Sequence, residues 1–170
     1  MQHKDDRVRF WVLDTLIKDH LEVLRNQTEM LPLLVPLLSD ASGPVVDRTV
    51  WAINCTGSGA IPYLLEQIEG ADISLKRGLF WAITKNFEAQ EYLEEILTVF
   101  VPYMEHAQLS KMAFNCVFIL IEEKVKRKQP LPVHLAQIRR QARSNLEQVL
   151  NDCRDEFWKA RYRRVFEEEN

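Results

Sequence analysis

Glycine and cysteine are scarce in this chain, which holds 5 Gly and 3 Cys in 170 residues. Five glycines supply neither a phosphate loop nor a dinucleotide-binding fingerprint. With only 7 Pro beside them, they also fit a loop-rich β-sandwich poorly. The cysteines (Cys55, Cys116, Cys153) stand alone, no C-x-x-C occurs, and His3, His20, His106 and His134 are scattered. Close Cys/His pairing, which a metal site requires, is missing, so neither metal nor cofactor is expected. Buried, reduced thiols in a cytoplasmic compartment are the simple reading. No uncharged apolar stretch reaches the ~18 residues of a membrane span. The opening MQHKDDRVRF lacks the apolar region of a signal peptide. A cytoplasmic protein without a membrane partner is expected.

What is present is a globular composition, 46% hydrophobic and 28% charged, too apolar for disorder. A chain of this size buries roughly 70% of its unfolded surface, so a core forms without disulfides or metal. The formal charge of −3 conceals opposed blocks. Residues 1–123 carry 10 Lys and Arg against 18 Asp and Glu, while residues 124–164 carry 12 against 4. Such polarity attracts partners of opposite charge to each block. At even odds with this, the basic block leans on the acidic remainder within one molecule.

An internal repeat organises the chain. Val50-Trp51-Ala52-Ile53 recurs as Phe80-Trp81-Ala82-Ile83, 30 residues later, and Tyr63-Leu64 and Tyr92-Leu93 follow their tryptophans at distances of 12 and 11 residues. Each copy reads as a helix, a tight turn and a second helix. Gly43-Pro44 opens the first, with Pro where its missing N–H costs nothing, and Val46, Val50 and Ile53 form one stripe. Thr56-Gly57-Ser58-Gly59 ends it, and Pro62 opens its partner. In the second copy Asp72 or Ser74 caps the start, and Lys85-Asn86-Phe87 turns the chain through a left-handed Asn. Looser copies flank the pair. Val8, Trp11, Val12 and Leu16 precede Leu31, Leu34 and Leu38, where Pro32 and Pro36 kink or delay the helix. Ser110 caps a helix with Met112, Phe114, Val117, Phe118 and Ile121.

The segments Pro44-Val45-Val46-Asp47-Arg48-Thr49-Val50-Trp51-Ala52-Ile53 and Ala60-Ile61-Pro62-Tyr63-Leu64-Leu65 resemble HEAT-type repeats. The likeness is to the short repeats first associated with phycobilisome lyases. It covers residues 42–105 well. The second half follows the family's "A-[IV]-P-x-L" run, whereas Trp51 stands where small alanines are usual. The resemblance implies an all-α, right-handed α-solenoid of about four helical hairpins in a single domain, 1–170. The hairpins fall at 5–40, 42–70, 72–105 and 107–128, closed by a long basic helix over 131–168.

That closing helix follows the basic run Lys124 to Pro130, and Pro132 opens it. Leu135, Ile138, Ala142, Leu146, Val149, Cys153 and Phe157 are spaced 3, 4, 4, 3, 4, 4, a near-natural helical period that keeps one stripe straight. A break near Asn151-Asp152 would instead give two shorter helices.

The catalytic search is negative. Gly57-Ser58-Gly59 does not satisfy G-x-S-x-G and no strand precedes it. Glu94-Glu95 and Glu122-Glu123 are adjacent pairs, which a helix points apart, so solvated faces explain them better than acid–base work. No enzyme is expected. Trp11, Trp51 and Trp81 recur at equivalent positions; inter-repeat packing is their simpler role, an exposed aromatic row the sharper one.

In the HEAT family the second helices line the concave surface. The resemblance therefore places Glu66, Glu69, Glu91, Glu94 and Glu95 in an acidic groove suited to a basic protein partner. The basic segment offers Arg139, Arg140, Arg143, Trp158, Arg161 and Arg164 to an acidic one, or the two patches bind head to tail between molecules. An adaptor or scaffold is the leading expectation. Nucleic-acid binding through residues 124–164 is the alternative, and the resemblance adds a lyase or chaperone acting on a chromophore-bearing protein.

Overall fold

A computed structural model describes residues 3–25, 27–57 and 59–167. These residues form α-helices and short 3-10 turns, with no strand among them. No helix among them is long and apolar enough to cross a membrane. The chain divides into two compact units, Met1–Ala89 and Gln90–Asn170. That boundary falls inside the hairpin expected over 72–105.

The first unit holds α1 (Asp6–Asp19), α2 (Leu21–Leu24), α3 (Leu31–Leu34), α4 (Gly43–Cys55), α5 (Ala60–Ile68) and α6 (Ile73–Lys85). Asp5 caps α1, accepting from the Arg7 N–H at 2.9 Å. The region after α2 is broken into a 3-10 turn Thr28–Met30, α3 and a second 3-10 turn Val35–Ser39. Pro32 and Pro36 sit at the openings of the last two, where a ring that blocks continuing helix is tolerated. Pro44 occupies the first turn of α4, as expected. Pro62, by contrast, lies within α5, which already starts at Ala60. Helix α4 packs on α1 and α6, and α6 on α5 and the Val35–Ser39 turn. Leu13, Ile53 and Ile83, equivalent in the repeat, are all fully buried.

Two turns define this unit. Gly57 has φ 89°, a left-handed conformation that glycine adopts without steric penalty. Ser58, the centre of the Gly-Ser-Gly motif, lies outside the described residues. Gly78 brings α6 against the Val35–Ser39 turn so tightly that a Cβ would meet the Leu38 carbonyl oxygen at 2.2 Å. Asp72 is the cap of α6, its carboxylate accepting from the Leu75 N–H at 2.8 Å. Asn86 is not left-handed: its φ is −68° and ψ 138°, and its side chain accepts from the Glu88 N–H instead. This local hydrogen bond turns the chain without the strain of positive φ.

The second unit holds α7 (Leu93–Phe100), a 3-10 turn Val101–Glu105, α8 (Ser110–Lys126), α9 (Leu135–Asp152) and α10 (Glu156–Phe166). Helix α8 is its axis, touching α7, α9, α10 and the 3-10 turn. Ser110 makes no capping hydrogen bond; it is the first helical residue, and Leu109 holds the cap position. The basic run joins α8 as far as Lys126, and the chain turns at Lys128, whose φ is 53°. Helix α9 begins at Leu135, three residues after Pro132.

The single closing helix is replaced by the alternative of two shorter ones, with the break directly after Asp152. Cys153 is extended, and Asp155 caps α10 by accepting from the Phe157 N–H at 2.9 Å. Leu135, Ile138, Ala142 and Leu146 are buried as one stripe, whereas Phe157 is 66% exposed. Past the break α10 buries a different edge. Phe166 stacks on Phe114 with centroids 4.8 Å apart, and Tyr162 meets Phe118 at 4.4 Å.

Candidate functional site

Five carboxylates carry the acidic expectation. In the first unit Glu66 and Glu69 are exposed, Glu66 on α5 and Glu69 at its C-cap. In the second, Glu91 precedes α7, and Glu94 and Glu95 occupy its first turn, all three exposed. Carboxylates in a first turn are favoured by the helix dipole, which explains a Glu-Glu pair there without catalysis. The sequence match of Glu66 with Glu95 does not extend to helix position. Tyr63 is inside α5, but Tyr92 is the N-cap of α7. None of the five forms an ion pair with another described residue.

The basic segment is arranged oppositely, because much of its charge is satisfied internally. Glu122, expected on a solvated face, is 3% exposed. The Arg161 guanidinium donates to both its oxygens. Lys126 stands 3.1 Å and Arg164 3.7 Å from the same carboxylate. Burial pushes the Glu122 carboxyl up, but hydrogen bonds from Arg161 and Lys126 outweigh it and hold the carboxyl below its usual value. Arg161 also lies 4.1 Å from the centroid of the Trp158 ring, a cation–π contact. Trp158 is thus 40% exposed and already paired. Arg139 donates to the Val165 carbonyl at 3.1 Å, fastening α9 to α10. Arg143 faces Glu147 at 3.4 Å, both well exposed, and Arg140 is exposed. Arg161 and Arg164 are therefore structural cations that tie α10 to α8. In the sequence Glu122 and Glu123 end the apolar run Phe118-Ile119-Leu120-Ile121 side by side, and nothing local separates the buried carboxylate from its neighbour.

The tryptophans do not fill the core. Trp11 is 62% and Trp51 51% exposed, because each lies two residues before its buried partner, about 200° around the helix. Trp51 meets Phe87 edge-on at 5.9 Å. Trp81 is half-buried, with the Lys85 ammonium 4.5 Å over its ring.

Two facing stripes in the second unit enclose a recess of about 270 Å³. Glu94, Leu97, Thr98 and Val101 come from α7 and the turn after it; His134, Gln137, Ile138 and Gln141 come from the start of α9. Each stripe follows i, i+3, i+4, i+7, one helical face. Leu97, Val101 and Ile138 are buried. The Glu94 carboxylate accepts from the Val133 N–H at 3.2 Å. Sequence reasoning missed this recess, since the approach of α9 to the Val101–Glu105 turn joins residues far apart in the chain. Asn145, donating to the Met104 carbonyl at 2.9 Å, fixes that approach.

Among the described residues, no group of three His, Cys, Asp or Glu side chains is placed to hold a metal. Cys116 is buried, and Cys55 and Cys153 are half-buried free thiols. Burial pushes the Cys55 thiol up. Comparison with family models, with curated proteins and with solved structures finds no match to this chain.

Proposed function

We propose that this chain is a non-catalytic protein–protein interaction module, an adaptor or scaffold built from HEAT-like hairpins, which binds a basic partner through its exposed carboxylates. One observation carries the choice between the two charged blocks. Glu66, Glu69, Glu91, Glu94 and Glu95 are exposed and outside any ion pair with described residues. Arg161, Arg164 and Lys126, in contrast, converge on buried Glu122. An unpaired carboxylate raises the encounter rate of a cationic partner and fixes its register. A guanidinium already desolvated against a carboxylate contributes little to a second one. The same contrast places nucleic-acid binding through residues 124–164 second.

The test uses a fluorescent lysine-rich peptide and the full chain. Glu66→Lys with Glu95→Lys is expected to weaken peptide binding by about tenfold or more, with helicity by circular dichroism unchanged. Equal affinity in the double variant overturns the assignment of these carboxylates.

A further inference from the structure

The recess between α7 and α9 combines an apolar floor with a carboxylate at its edge. Leu97, Val101 and Ile138 form the floor. At the edge stands Glu94. One of its oxygens takes the Val133 N–H, which steadies the carboxylate and leaves the second oxygen without a hydrogen bond or ion pair to any described residue. Thr98 spends its hydroxyl hydrogen on the Glu94 carbonyl at 2.8 Å, so toward the recess it too presents an acceptor.

We propose that this recess is a binding pocket for a basic side chain, lysine or arginine, carried by a partner peptide or protein. Such side chains combine an apolar stem with a charged, donor-only head. The stem lies on Leu97, Val101 and Ile138, and the head donates to the free oxygen of Glu94 and to the Thr98 hydroxyl oxygen. Charge complementarity selects this occupant. An anion would face the Glu94 carboxylate, and an apolar ligand would take water from that carboxylate without giving it a donor. The pocket is preformed, so little ordering of the protein opposes binding. This inference rests on the reading of the exposed carboxylates as contacts for a cationic partner, and it locates one anchor point, at Glu94 of the second unit.

The experiment titrates the isotope-labelled full chain with Nα-acetyl-lysine amide and with its neutral isostere, Nα-acetyl-norleucine amide, followed by amide NMR. In parallel, anisotropy follows the labelled lysine-rich peptide. The lysine probe is expected to shift the signals of Thr98, Gln137, Ile138 and Gln141 saturably, and the norleucine probe about tenfold more weakly or not at all. Two variants separate charge from shape. Glu94→Gln removes the charge and keeps an acceptor for Val133, while Thr98→Trp fills the recess and keeps every charge. Both are expected to abolish the saturable shifts and to weaken the peptide, whereas Glu29→Gln, at an exposed carboxylate of the first unit, leaves the probe's shifts as in wild type. If Thr98→Trp binds the probe as wild type does, the pocket is overturned. If the peptide binds wild type and Thr98→Trp equally, the pocket also falls while the interaction-module reading stands. If the peptide does not bind wild type at all, the broader reading falls first.

Discussion

Replacing Gly78 by alanine should destabilise the protein, although helix propensity predicts the reverse. In an unconstrained helix interior, Gly→Ala gains about 1 kcal/mol. At Gly78 the new Cβ would lie 2.2 Å from the Leu38 carbonyl oxygen, 2.6 Å from the Leu38 Cβ and 2.8 Å from its carbonyl carbon. Two of these atoms are backbone and cannot rotate away, so α6 and the Val35–Ser39 turn must part by about 1 Å. A gap of that size forfeits roughly a quarter to a half of the dispersion attraction across the contact. Leu38 and Leu79, both essentially buried, then lose packing. Overpacking of this kind costs about 1–3 kcal/mol. Because backbone is involved, we take the upper end, and after the propensity gain about 2 kcal/mol of net loss remains. Urea unfolding followed by circular dichroism reads it directly. With a slope of about 2 kcal/mol per molar urea, the midpoint should fall by about 1 M. Gly43→Ala is the control, since nothing lies within 4 Å of its Cβ position, and its midpoint should stay close to wild type. A Gly78→Ala midpoint at or above wild type would refute the close approach of α6 to that turn.

Three further outcomes follow from the same description. Glu122→Gln should cost about 2 kcal/mol at neutral pH, because Arg161, Lys126 and Arg164 lose a shared buried carboxylate but keep partial access to water. Since the folded-state pKa of Glu122 is lowered, its stabilisation is complete above the ordinary glutamate value of about 4.3 and lost as pH falls through the lower folded value. The variant's stability should therefore fall less steeply on the acid side, and parallel acid limbs in urea titrations would contradict this. Asp72→Ala should remove the α6 cap and cost about 1 kcal/mol by the same unfolding assay. Trp11→Ser should change stability by no more than about 0.5 kcal/mol, whereas Leu13→Ala, two residues on and fully buried, should cost about 2–5 kcal/mol; the opposite order would invert the face of α1.

Much of the helical layout was legible because its determinants are local. Asp72 as a cap, Gly43-Pro44 as an opening and the proline-broken stretch from Leu31 to Ser39 each depend on residues within a turn of one another. The failures are tertiary or compete with a local alternative. Asn86 uses its side chain to make the turn that a left-handed backbone was expected to make. The stripe from Leu135 to Phe157 has a helical period throughout, yet the Asp155 cap and the aromatic contacts of Tyr162 and Phe166 reward breaking it. In the repeat, packing was the simpler reading of Trp11 and Trp51, which stand beside apolar stripes, yet both are exposed. A residue two positions from the buried face points away from it.

At the candidate site, the exposure of the carboxylates could be read from the α5 and α7 patterns. The internal use of Arg161 and Arg164 could not, since their partner Glu122 is 39 and 42 positions away in the chain. The α7–α9 recess was equally hidden. It exists only because a turn and a helix separated by the whole of α8 come together.

The central claim is that the unpaired carboxylates, and not the basic segment, face the partner. The most direct measurement compares two labelled probes on the wild-type chain, a lysine-rich peptide and a single-stranded oligonucleotide of equal length, by anisotropy at low and moderate salt. The account predicts that the peptide binds, more weakly as salt screens the carboxylates, and that the oligonucleotide binds at least about tenfold more weakly at either salt. An oligonucleotide that binds more tightly than the peptide, with affinity falling steeply as salt rises, would contradict it and assign the function to residues 124–164.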